Sequence, residues 1–395
     1  MTIEVPTDEA RVLIFSLRNV FQRDLFRGPH YEFEDIISEI DSAALLAPEA
    51  DPSGTHFRFA TQLAYHAPVT LNPGIRRVQA RTDYDIFFAI CAFPQDLILV
   101  NAVTNIRDIC RTSMCLLDEI WIKDIVKHRH FLRILHKFDV VLLFYSQTVK
   151  PLGERIGRRC LFLPPSVDAI SFCPYPDPPK RVVDVCSIGR RSEITHQRLL
   201  RMVRERRLFY LHDSIGGHQA IDLKEHRALL ANVAKRSRYF IVNPALIDEP
   251  TKRGNQIEIG SRFFEGAASG AIMIGERPNN EEFARLFDWP DAMTPLPYDS
   301  CDIDMVIADL DGDPERQDRI RRTNVLQALM RHDWVYRWEA ILKIAGLEPM
   351  RGVLERKERL TKLAEVVLQN EGDTDGQSHE SLVFPVTTAC VRLGG

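Results

Sequence analysis

The sequence predicts an α/β protein of two parallel-sheet domains followed by a helical C-terminus. Three observations predict it. Short apolar segments rich in Val, Ile, Leu and Phe alternate with amphipathic stretches, the pattern of strands covered on both faces by helices. A length of 395 residues exceeds what one ordinary hydrophobic core organises. Six prolines between positions 164 and 179 break the alternation near mid-chain, where neither a helix nor a central strand can continue.

Taken in order, residues 12–16 form a first strand and 31–40 a helix, after a loop rich in Arg, Gly and Pro. Strands follow at 85–90 and 109–117, and 119–137 is predicted as one long amphipathic helix. Strands at 140–145 and 160–163 enclose a helix over 147–156. The prolines then divide an N-terminal domain, 1–165, from a linker, 166–181. Alternation resumes with strands at 182–188, 208–211 and 238–242 and helices at 193–206 and 223–236. A helix around 257–269 ends in Gly266, Ala267, Ala268 and Ser269, small residues that admit a ligand or a second helix close to the backbone. Gly270 suits a C-cap with positive φ, and 271–275 reads as a buried strand. The N-terminus of that helix, placed near Arg253-Gly254-Asn255, would aim free N–H groups at an anion. Beyond 324 the pattern is helical. The second domain therefore spans 182–345, with a helix over 346–370 and a polar tail, 371–395, expected to be disordered.

Bulk properties exclude several classes. A net charge of −4 leaves no domain-wide basic excess for general nucleic-acid binding. Eight scattered cysteines show no Cys-x-x-Cys pair and no metal-site spacing, as in a protein of a reducing compartment. The N-terminus lacks the basic start and apolar run of a signal peptide, and no apolar run is long enough to span a bilayer. The expected location is cytoplasmic, with at most peripheral contact at the inner membrane face. Two basic clusters bear on that contact. Lys123, Lys127, His128, Arg129, His130 and Arg133 form one, and 351–362 the other. Each reads either as a solvated helix face or as a contact for anionic lipid or a phosphate-bearing acceptor.

Four motifs occur in one order. They are Leu163-Pro-Pro-Ser-Val-Asp168…Phe172-Cys-Pro174, then Val182-Val-Asp-Val-Cys-Ser-Ile-Gly189-Arg190. Next come Arg262-Phe-Phe-Glu265-Gly-Ala-Ala-Ser-Gly270 and Arg331-His332-Asp333-Trp334-Val-Tyr-Arg337-Trp. Together they resemble the hinge, the donor-domain opening, the donor-sugar helix and the closing motif of GT-B glycosyltransferases of group 1 type. The resemblance covers roughly residues 160 to 340; the first 150 match in general architecture only. It implies two Rossmann-like domains facing a cleft, with the last helices crossing back onto the N-terminal domain. It also implies transfer of a sugar from a nucleoside-diphosphate sugar to a glycan or glycoconjugate acceptor. Bacterial surface-polysaccharide assembly is the usual setting, with no metal and no further cofactor.

Within that frame Glu265 is the candidate for holding the donor ribose, since a carboxylate accepts two hydrogen bonds from vicinal hydroxyls. Its alternative is a salt bridge, because Glu258, Arg262, Glu265 and Ser269 would share a helix face. Under the ribose reading, Glu265→Ala weakens donor binding without unfolding the chain. Retaining members of the fold carry two glutamates eight positions apart. Here Ile257 stands at the first position, and Glu258 is rotated from it by about 100° of helix, so the anomeric outcome stays open. Gly189 and Arg190 are candidates for the diphosphate, with Arg191 a solvated neighbour, and Lys252, Arg253, Asn255 and Arg262 for the leaving group. For a general base, Asp118, Glu119 and His30 all lie after strands, where open sheets collect ligands. Asp118 could equally cap a helix and His30 anchor a loop. Asp302, Asp304, Asp309, Asp311 and Asp313 are acidic but lack the spacing of a calcium loop, and Trp334, Tyr336 and Trp338 read as helix packing. The rival functions are a nucleotide-sugar epimerase of the same fold and a non-catalytic sugar-nucleotide-binding protein.

Overall fold

A computed structural model describes residues 10–68, 71–78, 80, 83–214 and 219–372. The expected tail beyond 372 and the N-terminal segment before residue 10 lie outside the described residues. Two parallel sheets organise the chain. The first contains β1 (Val12–Phe15), β2 (Ala43–Leu46), β3 (Tyr84–Cys91), β4 (Cys110–Leu117), β5 (Val140–Leu143) and β6 (Arg159–Phe162), in the order β2-β1-β3-β4-β5-β6. The second contains β7 (Val183–Ser187), β8 (Tyr210–His212), β9 (Ser237–Ile241), β10 (Ile272–Gly275) and β11 (Thr294–Pro295), in the order β11-β10-β9-β7-β8. Every pairing is parallel, with Val12 opposite Ile86 and Val185 opposite Tyr239. The central strands are apolar on both faces because helices cover both. All four residues of β1 are wholly buried, as are Phe87, Phe88, Leu142 and Leu143.

Local chemistry sets the helix ends. Ser192 and Asp222 cap Glu193–Arg204 and Leu223–Lys235 by accepting from Thr195 N and Glu225 N. Ser261–Ser269 ends where Gly270 turns left-handed at φ 64°, as expected. Its small residues admit the sheet and a neighbouring helix, not a ligand. A Cβ on Gly266 would lie 2.8 Å from the Met273 side chain, and one on Gly270 2.9 Å from Val325.

The predicted helix 119–137 is corrected to single turns at Ile122–Asp124, Arg129–Leu132 and Arg133–Lys137. Tertiary contacts replace its ladder: Trp121 packs on Tyr145, Ile122 N donates to Gln256, and His128 lies between Tyr65 and Phe131. The helix predicted from 257 begins at Ser261 instead. β2, β11 and the helices Thr55–His66, Glu281–Leu286 and Ile303–Asp311 were not anticipated.

The C-terminal helix Arg351–Gly372 packs on Gly28–Ile40, so closely that a Cβ on Gly352 would fall 2.6 Å from Ile40 O. Arg356 fastens it by bonding Asp333 at 2.8 Å and Asp168 at 2.6 Å. Trp334 and Trp338 are fully buried and donate to Glu32 and Asp41, both at 2.8 Å, which is the packing role expected of them. Among the described residues the cysteines are free and no helix is long and apolar enough to cross a membrane.

Candidate active site

The C-terminal edges of the two sheets face each other. The residues after β4 and β5 meet those after β9: Ser146 N and Gln147 N donate to Glu258 at 3.0 and 3.1 Å, and Ile122 N donates to Gln256 at 2.9 Å. Glu258 is therefore not part of a helix face shared with Arg262 and Glu265. It caps the first turn of the 146–156 segment from the opposite domain, and burial pushes its carboxyl up to about 7.

On the N-terminal wall, Asp118 N and Glu119 N still bond Cys91 O and Ala92 O at 2.9 and 2.8 Å, so the chain leaves β4 in a fixed direction. His30 enters from the first turn of Gly28–Ile40, and its Nε2 lies 2.8 Å from Asp118 Oδ2. Two residues that sequence offered as alternatives thus form one pair. The His30 side chain is 3% exposed and that of Asp118 26%, so the carboxylate faces the cleft and the imidazole stands behind it. Glu119 accepts from Trp121 Nε1 at 3.0 Å, and burial raises its pKa. Behind His30, one helical turn on, buried Glu34 accepts from Ser16 Oγ and from Arg18 Nη2 at 2.5 and 2.9 Å. Burial pushes Glu34 to about 7.

On the C-terminal wall, Gly189 turns at φ 98° and its N–H donates to Asp213. Arg190 turns to the facing loop, bonding both oxygens of Asp248 at 3.0 Å and Glu249 at 2.7 Å. Lys252 shares Glu249. The two candidate phosphate cations are therefore neutralised by neighbouring acids. Arg191, expected to be solvated, instead lines a concavity with Ser192, Thr195, Asn243 and Tyr298, and its Nη1 donates to Asp213 O at 2.8 Å. Arg253 bonds the carbonyls of Gly254 and Gln256 at 3.3 Å, and Asn255 is exposed. No helix starts at 253–255. The turn Pro250–Arg253 ends there, with Gly254 at φ 62°.

Glu265 is completely buried, and both oxygens are engaged, one by Arg227 and the other by Arg262. Burial acts to raise its pKa, but Arg262 and Arg227 together outweigh burial and hold it at about 2. The carboxylate makes ion pairs, as in the salt-bridge alternative, with Arg227 as a partner from outside its own helix. Arg227 also grips Glu32 of the first domain at 2.7 and 3.0 Å, so Glu32, Arg227, Glu265 and Arg262 alternate in charge from hinge to cleft. Arg262, 28% exposed at its side chain, is the end that reaches the opening, beside Ile188 O. Arg227 was missed, though it carried a signal. It interrupts the apolar stripe Leu223, Leu230, Ala231 and Ala234, where a lone cation needs a buried partner.

The acidic run beyond 300 is spent on arginines and a cap. Asp304 pairs with Arg198, Asp311 with Arg238 and Asp309 with Arg316, while Asp313 accepts from Arg316 N. The architecture thus brings the His30–Asp118 pair and an arginine-bearing wall to opposite sides of one cleft.

Comparison with known proteins agrees with this fold. Residues 190–343 match a family described as glycosyl transferase-like. A crystal structure of HepE from Anabaena in complex with UDP-glucose superposes with a TM-score of 0.52 at 13% identity, over 86% of this chain and 100% of that one. The N-terminal domain of trehalose-6-phosphate phosphatase from Candida albicans superposes with a TM-score of 0.54 at 8% identity, over 87% and 99%. No curated protein matches the sequence. With its two facing parallel sheets the chain has the GT-B fold, and residues 190–343 within it are similar to the glycosyl transferase-like family.

Proposed function

We propose that the chain moves a sugar from a nucleoside-diphosphate sugar to a hydroxyl of a glycan or glycoconjugate acceptor. The observation that carries this reading is the 2.8 Å contact of His30 with Asp118 on the wall opposite the arginines. The acceptor oxygen bonds to the anomeric carbon as the bond from that carbon to the diphosphate oxygen breaks. Asp118 takes the acceptor proton and His30 positions it. Arg191, Arg253 and the exposed flank of Arg262 stabilise the departing diphosphate without a metal. Arg190 and Lys252 join them only by releasing Asp248 and Glu249. Glu265 acts through Arg262 rather than on the ribose. The UDP-glucose held by HepE supports a nucleotide-sugar donor. The setting that fits is polysaccharide or glycoconjugate assembly in the cytoplasm.

Thermal unfolding against UDP, GDP, CDP, ADP and dTDP, without added metal, tests the donor half. A nucleotide at 100 times its dissociation constant adds about 2.7 kcal/mol, roughly a degree or two or more at this size. Asp118→Asn tests the base: the nucleotide shift should persist while transfer falls about 10²- to 10⁴-fold. Wild-type turnover in that variant removes Asp118 from the mechanism, and a chain that answers no nucleotide removes the transferase reading.

A further inference from the structure

The two basic clusters have different fates. In the second, Arg351 pairs with Glu355, Arg356 with Asp333 and Asp168, and Lys357 with Glu339. In the first, Arg129 and Arg133 stay out of ion pairs among the described residues, and the fold brings Arg155 beside them. Arg129, His130, Arg133, His136 and Arg155 line a groove of about 270 Å³ whose floor is the buried pair Leu132 and Ile156. No carboxylate lines it, and among the described residues none of its three arginines meets one. The nearby acid Asp139 is turned onto Ser113, bonding its N and Oγ at 2.8 and 2.7 Å. Arg107 and Arg158 both donate to His136 O, at 2.6 and 2.8 Å, which brings two more guanidinium groups to the rim. So much unopposed positive charge in one concavity makes it attractive to an anion.

From this geometry we propose that the groove binds a phosphate-bearing anion, with guanidinium groups supplying the contacts. Arginine suits phosphate because its planar fork donates two parallel hydrogen bonds. The groove lies where the chain enters β5 and β6, the end of the sheet opposite Asp118 and Tyr145. At least the length of β5, roughly 13 Å, separates it from the cleft. A phosphate bound there is therefore not the reacting end of an acceptor. It is an anchor, either a lipid headgroup or a soluble phosphate compound. The inference does not depend on the identity of the donor or of the base.

His130 is the reporter. Burial, then Arg129 and Arg133, hold its pKa below the usual histidine value, and an anion in the groove must raise it. The experiment follows the His130 ring by NMR in the full chain against inorganic phosphate, at ionic strength fixed with chloride. The expected rise is about half a pH unit or more. It should be absent in R129S/R133S, whose thermal midpoint should be unchanged because both side chains are exposed. A second arm measures sedimentation with phosphatidylglycerol vesicles against phosphatidylcholine vesicles. Binding to the anionic vesicles, lost in R129S/R133S, assigns the anchor to a lipid headgroup. A phosphate response without vesicle binding assigns it to a soluble ligand. No rise of His130 in the wild type, or an equal rise in R129S/R133S, overturns the site.

Discussion

Glu265→Gln separates the ion-pair role of this residue from a ribose-binding one. The carboxylate is fully buried between Arg227 and Arg262, and its pKa falls from 4.5 to about 2. At about 1.4 kcal/mol per pH unit, that displacement corresponds to roughly 3 kcal/mol of stability at neutral pH. The folded pKa lies below the unfolded one, so the contribution is full above pH 4.5 and is lost as pH falls through about 2. Glutamine keeps one acceptor but removes the charge, leaving Arg227 with Glu32 alone and Arg262 with solvent and Ile188 O. Urea unfolding should therefore show Glu265→Gln less stable by about 3 kcal/mol at pH 7 and by about half of that near pH 3, with an unchanged denaturant slope. Against a total of about 5–15 kcal/mol the variant remains folded at low temperature. The loss is thus expected in stability, where the ribose reading of Glu265→Ala expects it in donor binding. A deficit under about 1 kcal/mol at pH 7, or one that does not shrink on acidification, refutes the ion-pair account. Wild-type stability combined with lost nucleotide affinity would restore the ribose.

Three further outcomes follow from the same contacts. Glu258 has its pKa raised to about 7 by burial. Its stabilising share is full below pH 4.5 and declines as pH rises through 7, by roughly 3 kcal/mol. Glu258→Gln should flatten the stability–pH profile in that window, and an unchanged profile would mean the carboxyl titrates normally. Gly275→Ala places a Cβ 1.8 Å from Val242 O, backbone against backbone, where no rotamer change relieves it. A loss of about 3 kcal/mol or more is expected in thermal or urea unfolding, and a loss within about 0.5 kcal/mol contradicts the packing described. Arg356→Met leaves Asp333 wholly buried with only the N–H groups of Ala169 and Val335. It should cost about 3–5 kcal/mol and expose the 351–372 helix to limited proteolysis at conditions where the wild type resists.

The readable part of the fold was the part dictated by local pattern. Val12–Phe15, Val140–Leu143 and Ile272–Gly275 announce themselves because a strand buried on both faces must be continuously apolar. Gly270 announces its own turn. β2, Ala43-Ala-Leu-Leu, carries no such signal. Alanine has little preference for strands, and pairing with β1 supplies what its sequence does not. Residues 119–137 failed for the opposite reason: their local pattern is helical, but Trp121, Ile122 and His128 have partners elsewhere.

The site divides along the same line. Asp118 and His30 could be nominated separately because each follows a strand, but only the fold brings them within 2.8 Å. Arg190 was the better candidate on sequence for a phosphate, and Asp248 and Glu249 take it because the loop after β9 closes toward the turn after β7. Glu265 could be singled out as the carboxylate of its helix, yet its partner Arg227 lies thirty-eight residues earlier and Glu32, which Arg227 also holds, in the other domain. A buried charge states in the sequence that it needs a partner, and only the tertiary structure says which one. For Glu265 those partners are Arg227 and Arg262, and it is through Arg262 that the proposed function connects it to the donor.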